Sequence, residues 1–445
     1  RKILVNRKVF SRAWTTASLM VAGAVLIMNA PVIAQQYKIL HNFNCTGNGG
    51  CAPAAGLVFD DAGNLFGTTS YGGLYNGGTV FELSPVTGGN WTEKILYSFN
   101  PNGTDAYSPQ ASLFIDAAHN LYGTTPSGGS YDEGTVFEVS PKAGGDWSEK
   151  VLLAFGGSTT QGYSPYGGLI ADASGNLYGT TAFGTQFGTV FELSPSPTGN
   201  WTWKLVHSFE DDDQTIDGLY PYAGLISDSA GNLYGTTFDG GAASNCWDSA
   251  GFFCGAVFEL TPVEGGSWTE AILYSFTGGF YGVPDGNHPY ASLAFDAAGN
   301  LYGTTEYGGD QAICQTMYYR GCGAVFKLTH TGGGNWTEKI LHSFGENGED
   351  AVKPVEGLIV DKAGNIYGTT PTTGFQAPYG NGMVFELSPK PQGGWSETVL
   401  HNFGTQSKGG SAPYTNLIFD AAGNLYGTAV EGGAYGGGVV FEITP

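Results

Sequence analysis

Positive charge is scarce in this chain. Seventeen lysines and arginines face 39 aspartates and glutamates across 445 residues, a formal charge of −22. Such a surface is repelled by nucleic-acid phosphates and by anionic membrane faces, which excludes nucleic acid as a partner. Long apolar runs are scarce too. Beyond residue 34 no stretch reaches the ~18 consecutive apolar residues of a membrane span, and no segment carries the three- and four-residue apolar spacing of an amphipathic helix. Cysteine is limited to six residues, placed as Cys45/Cys51, Cys246/Cys254 and Cys314/Cys322. No histidine cluster accompanies them, so no metal site is expected there. Each pair sits inside one loop, and three local disulfides are expected. A nucleophile triad, a zinc motif, a phosphate loop and an EF-hand are all missing, and no cofactor is expected.

Residues 1–34 are of another kind. Arg1, Lys2, Arg7, Lys8 and Arg12 precede an apolar run from Ala17 to Ile27, and Val32-Ile33-Ala34 offers small side chains before a cut at Gln35. This is the pattern of a secretory signal peptide. Its removal takes five of the 17 basic residues and no acid, leaving 12 against 39, or −27. The remaining residues 35–445 are expected to form one secreted domain, extracellular or periplasmic, and monomeric.

Glycine is plentiful at 73 residues, and aromatics make up 14%. The first says the chain turns often; the second supplies a core that a disordered chain would lack. What organises the chain is one stretch, Asp60-Asp61-Ala62-Gly63-Asn64-Leu65-Phe66-Gly67-Thr68-Thr69. It recurs with its asparagine at 120, 176, 232, 300, 365 and 424. A repeat of this length marks a solenoid, a propeller or an array.

Each repeat reads as four short strands. Strand a is Gly56–Asp60, strand b Leu65–Thr69, strand c Gly78–Leu83 and strand d Trp91–Phe99, with Asp-x-x-Gly-Asn as the tight a–b turn. The seventh repeat has a, b and c only, through Val439 to Pro445, while Tyr37 to Phe43 reads as a strand d with nothing before it. The expected fold is therefore all-β: a seven-bladed β-propeller, four antiparallel strands per blade, closed by the N-terminal strand completing the last blade.

The a–b turns and the c–d turns, which share one face of the ring, keep constant length. The span from the strand-b glycine to the strand-c valine runs 13, 13, 11, 22, 22, 16 and 13 residues, so variation is confined to the face of the b–c and d–a loops. Loops held on a rigid scaffold are where ligands are usually met. Ligand-binding candidates on that face are Trp247, Phe252 and Phe253, then Tyr318, Tyr319 and Arg320, with Tyr220 and Tyr290 from d–a loops. Aromatic faces and polar neighbours there suit a carbohydrate or protein ligand; the same rings would also pack beneath their own loops.

Recurring polar residues read as structural. Glu82, Glu138, Glu192, Glu259, Glu386 and Glu442 share one strand-c position, with Lys327 in the fifth blade, and His41, His207, His342 and His401 share one strand-d position. A problem common to every blade explains both sets. His288 stands apart, and with Asp285 or Asp217 it is the candidate for general acid–base chemistry. The run Glu210-Asp211-Asp212-Asp213 is a candidate Ca²⁺ ligand set, weighed against an ordinary solvated acidic loop.

The unit Asp-x-x-Gly-Asn-Leu-Tyr-Gly-Thr-Thr followed by Gly-Thr-Val-Phe-Glu-Leu-Ser-Pro resembles the GloVer tandem repeat of exported bacterial proteins, over nearly all of the chain after residue 34. Its turn element is also similar to NHL-type and streptogramin-lyase-type propellers. The resemblance implies a propeller and export, and it carries no activity. Three functions follow as expectations: a binding module using the variable face, a polysaccharide lyase or hydrolase with acids at the channel mouth, or a structural envelope protein.

Overall fold

The computed structural model describes residues 36–445 apart from 159, 185, 211–216, 243–253, 279–283, 311–320, 346–350, 374–380 and 405–407. Seven four-stranded antiparallel sheets follow one another in sequence, each in the order a, b, c, d, and no helix occurs among the described residues. Blade 1 is Val58–Phe59, Leu65–Thr69, Thr79–Val86 and Asn90–Ser98. In blade 7 the strand d is Gln36–Asn42, paired antiparallel to Val439–Thr444 with Gln36 opposite Thr444 and Asn42 opposite Val439. The ring is a seven-bladed β-propeller closed by its own N-terminal strand, as the repeat pattern implied.

The sequence builds each blade in the same way. After strand a, the aspartate folds back on the turn: Asp60 Oδ1 accepts the Ala62 and Asn64 amides and Oδ2 accepts the Asn64 side-chain amide, at 2.8 to 2.9 Å. This is an Asx-type turn repeated in every blade. The second blade has His119 where the others have glycine, at φ +63, a conformation that costs a non-glycine residue energy. Strand b needs its glycine for another reason. A Cβ on Gly67 would stand 2.7 Å from Phe81 Cζ, and the strand-b glycines of the other six blades meet their strand-c phenylalanine in the same way. The tip of the phenylalanine ring comes up against bare backbone.

Three kinds of contact join the blades to one another. The phenylalanine ending strand d packs on the strand-c phenylalanine of the following blade: Phe43–Phe81, Phe99–Phe137, Phe155–Phe191, Phe209–Phe258, Phe276–Phe326, Phe344–Phe385 and Phe403–Phe441, all edge-on with centroids 5.0 to 5.4 Å apart. Second, in blades 2 to 7 a strand-b threonine donates its hydroxyl to a carbonyl just before strand a of the next blade, from Thr124 to Gly167 at 2.9 Å through Thr428 to Ala55 at 2.8 Å, the bond that closes the ring; the equivalent Thr68 hydroxyl of blade 1 makes no such bond. Third, the glycine before strand c, at φ +93 to +107 in blades 1 to 3, faces a proline of the next blade. A Cβ on Gly438 would lie 2.6 Å from Pro53 Cδ.

The c–d pair of every blade carries a bulge. In blade 1, Val80 and Phe81 face Tyr97 and Ile95, so Leu96 is the extra residue. The bulge shifts the side chain at Tyr97 towards the seam between blades. There it meets a strand-d residue of the next blade: His41 lies 3.5 Å from Glu93, His342 3.8 Å from Glu397, and His401 stacks on Tyr37 at 3.7 Å. The repeated histidines are thus seam residues, as expected. The strand-c glutamates are likewise local, Glu82 accepting from Ser84 and Glu442 pairing with Lys38.

One expectation is corrected. Cys45 and Cys51 are free thiols rather than a disulfide. Cys51 is fixed and buried by pairing of Gly50–Cys51 with Tyr71–Gly72, while the turn at Asn44, whose side chain accepts the Thr46 amide and hydroxyl, leaves Cys45 exposed. Burial and the adjacent Cys45 thiol push the Cys51 thiol up to about 12. Cys254 and Cys322 are buried; Cys246 and Cys314 lie outside the described residues.

Two outcomes follow from this architecture. Phe43→Ala should cost about 3–5 kcal/mol in denaturant unfolding, because Phe43 is 1% exposed and anchors the closing strand; an unchanged midpoint would show that the strand is not part of the cooperative unit. The seam carboxylates set the pH dependence. Burial raises Glu93 to about 7 and, with help from neighbouring aspartates, Glu149 and Glu338 to about 8 and Glu270 to about 9. A carboxyl raised above its unfolded value, about 4.3, contributes stability that is full below that value and lost as pH climbs through the folded one. The melting temperature should therefore fall from about pH 6.5 to pH 9, less steeply in Glu149→Gln. Burial lowers His41 and His401 to about 4, and their contribution is lost only as pH drops below 6.5 towards 4.

Candidate functional site

On the face of the variable loops, the d–a and b–c segments of one blade join in a small ribbon. In blade 5 it is Asp285–Asn287 against Tyr307–Gly309 and in blade 4 Gly218–Leu219 against Asp239–Gly240, while blade 3 has a single bridge from Tyr163 to Phe183. Directly after the ribbon each blade places one non-glycine residue in the left-handed region. These are Ala52, Ser108, Ser164, Tyr220, His288, Lys353 and Ala412, with φ between 54 and 59. Each is followed by proline. The conformation persists because both peptide groups are used. The His288 amide donates to Cys254 O of the preceding blade and its carbonyl accepts from Glu306, both at 3.0 Å. Strain of this kind, repeated and over-determined, marks positions whose side chains are held in fixed places.

Two residues further along, all seven blades contribute to the wall of an axial cavity of about 770 Å³. Its floor is small: Ala55, Ala111, Gly167, Ala223 and Ala291 occupy equivalent positions before strand a. Blade 6 has Glu356 there instead. Desolvation raises its carboxyl to about 8, which favours the neutral form. Above the floor, Tyr166, Tyr222 and Tyr290 come from consecutive blades and form an arc. Tyr222 and Tyr290 stack at 5.0 Å with an 18° interplanar angle, and Tyr166 meets Tyr222 at 5.7 Å. Burial pushes the Tyr222 phenol up to about 12 and raises Tyr290, with Tyr222 and Glu356 adding to it. Tyr414 completes the rim, 40% exposed.

Glu306, also in the wall, holds Lys353 at 3.1 Å; the Lys353 ammonium donates to the Tyr307 hydroxyl at 2.7 Å. Desolvation works against the Lys353 charge, but the Tyr307 hydroxyl and Glu306 outweigh it and its pKa rises. The cavity thus offers aromatic surface on one side, a carboxyl with a raised pKa on its floor and an ion pair at its edge.

The residues expected from sequence fall in three groups. Tyr290 lines the cavity, and Tyr220 packs on Phe183 and Phe187. His288, 1% exposed, has its Nε2 3.1 Å from Asp239 Oδ1 and its ring 4.3 Å from Phe238, so its recorded partner is Asp239. Asp285 instead accepts from the Thr277 and Gly286 amides and the Tyr274 hydroxyl, closing its own loop, and Asp217 stands with His207 and Glu270. Trp247, Phe252, Phe253, Tyr318, Tyr319, Arg320 and Asp211 to Asp213 lie outside the described residues. Sequence reasoning missed Glu306, Lys353, Glu356, Tyr166 and Tyr414. The signal was present: counting back from the strand-a leucine puts a lone acid at 356 among six small residues.

The sequence matches the Gloeobacter/Verrucomicrobia repeat over residues 14–248 and 247–445. The chain belongs to that family. A search of curated proteins gives no match. Among solved structures, PorZ, a bacterial surface component of the type-IX secretion system of Porphyromonas gingivalis, is 15% identical with a TM-score of 0.51, over 89% of this chain and 47% of PorZ. An ancestral GH74 enzyme is 12% identical with a TM-score of 0.56, over 89% of this chain and 49% of that one. The chain spans about half the length of each, and at these identities the likeness is one of fold. Among the described residues, no helix is long and apolar enough to cross a membrane.

The titration of Glu356 gives a direct check on the cavity floor. Its contribution to stability is full below the unfolded value near 4.3 and lost as pH rises through about 8. Glu356→Gln should therefore melt progressively higher than the parent as pH goes from 6 to 9. A constant difference across that range would place the carboxyl in water.

Proposed function

We propose that this is an exported binding module that takes a carbohydrate at the axial cavity on the b–c and d–a face. The arc of Tyr166, Tyr222 and Tyr290 beside Glu356 supports this reading above the other features. Stacked phenols offer apolar faces to sugar rings, while Glu356, Ser112, Ser292 and Asn416 in the same wall offer partners to hydroxyls. A cavity of about 770 Å³ lies within the ~300–1,000 Å³ span of small-ligand sites and suits an oligosaccharide better than a protein surface. The apolar run and basic residues before Gln35 support export.

A second reading has one observation in its favour. A carboxyl raised to about 8 is suited to act as a general acid in glycoside hydrolysis or as an acid in polysaccharide elimination, with Glu306 in the same wall.

A glycan array followed by calorimetry on the protein from Gln35 onward tests both. Tyr222→Ala should weaken binding of the identified glycan about tenfold, roughly 1.4 kcal/mol, without altering the fold. Glycan binding unaffected by that change would overturn the site. Cleavage of the bound glycan that disappears in Glu356→Gln would favour the enzyme over the module.

A further inference from the structure

The seam between blades 3 and 4 brings together a cluster of side chains found at no other seam among the described residues. His207 on strand d of blade 3, Asp217 in the connection between the blades and Glu270 on strand d of blade 4 each present one ligand atom, all within 4.8 Å of one another, and no other such trio of His, Cys, Asp or Glu is present among the described residues. His207 Nε2 lies 3.6 Å from Asp217 Oδ1 and 3.7 Å from Glu270 Oε1. These separations are too long for good hydrogen bonds. His207 Nε2 and the Glu270 Oε1 atom are both buried without a hydrogen-bond partner, a costly arrangement unless something sits between them.

The neighbouring seams show what a proton does in the same place. There the strand-d residue is tyrosine, and its hydroxyl donates directly to the aspartate: Tyr97 to Asp105 at 2.9 Å, Tyr274 to Asp285 at 3.2 Å. At the 3/4 seam imidazole replaces phenol and that bond is not made. The three ligand atoms instead converge within 4.8 Å of one another. Tetrahedral zinc, with bonds of about 2.0–2.2 Å, separates its donors by roughly 3.3–3.6 Å, close to the spacing here. The site is also pre-set. Asp217 is fixed by the Glu210 and Gly218 amides at 2.9 and 2.8 Å, and the His207 ring rests edge-on against Phe209 at 4.7 Å.

We propose that His207, Asp217 and Glu270 bind one divalent transition-metal ion, zinc by preference, and so clip blade 3 to blade 4. One nitrogen and two carboxylate oxygens suit zinc or manganese and are too few for calcium, which takes six to eight oxygens. The fourth position is left to water, on the side where His207 and Glu270 are 20% and 18% exposed. Two carboxylates and neutral imidazole balance the ion's charge. Binding displaces any proton held between Glu270 and Asp217, so uptake releases protons and weakens as pH falls.

The test is calorimetric titration of zinc chloride into the EDTA-treated, dialysed full chain, with thermal melts alongside. The expected result is one tight equivalent, a heat that depends on the buffer's own ionisation enthalpy, and a melting temperature that climbs with zinc because only the folded state binds. Glu270→Gln, which keeps the seam's shape, and His207→Ala should each weaken that equivalent at least tenfold. His41→Ala, at the seam where the histidine faces Glu93 and Gly49 holds the position of Asp217, should not. No zinc or manganese uptake by the parent chain, or Glu270→Gln binding as tightly as the parent, would overturn the proposal and leave the cluster to a proton shared by Glu270 and Asp217.

Discussion

The whole ring rests on one contact made seven times: the phenylalanine that ends strand d of a blade lies edge-on against the strand-c phenylalanine of the next. It requires a bare strand-b glycine beneath the second ring and is locked by the neighbouring amide, since the Phe43 N–H donates to Gly438 O and the other six copies do likewise. A propeller blade has no interior of its own. Its apolar side chains are buried only when the next blade is in place, so the seam is the core. The threonine relay and the proline–glycine contacts set the angle at which successive seams meet.

That rigidity lets the loop face vary. Because the backbone from the ribbon to strand a is fixed by bonds to two blades, the side chains at the left-handed position and two residues beyond can change without loosening the fold. The ring exploits this unevenly. Blades 4 to 6 place Tyr220, His288 and Lys353 where the remaining blades have alanine or serine, and blade 6 alone has an acid on the cavity floor. Chemistry is concentrated on one side of a nearly symmetric frame.

Much of this was legible in the sequence. Strand order, blade number and closure by Tyr37 to Phe43 follow from the repeat and its two incomplete ends. The structural reading of the strand-c glutamates and strand-d histidines also followed from their recurrence. What was not legible has physical causes. Two-residue ribbons such as Gly50–Cys51 are too short and too glycine-rich to carry a periodic signal. The c–d bulge breaks strict alternation, so the face of Tyr97 and its equivalents cannot be counted from strand d. Attention went to the long aromatic insertions after Gly241 and Gly309, whereas the cavity is walled by the shortest and most regular segments, where a functional residue shows only as a departure from its six counterparts. The Cys45/Cys51 pair misled because spacing in a loop does not reveal that one thiol is held inside and the other out.

The closing strand has a consequence for how the molecule is made. The pairing of Gln36 with Thr444 joins strands from opposite ends of the repeat array, so a growing chain can stack blades 1 to 6 in order but cannot seal the ring until the Val439–Thr444 strand is available. Until then, strand d of blade 6 on one side and blade 1 on the other present unpartnered seams, and the Gln36–Asn42 strand has no partner. Contacts of such sequence separation form late and slowly. A chain held unfolded until the Val439–Thr444 strand has been made, as during passage across a membrane, would avoid that interval of exposure altogether.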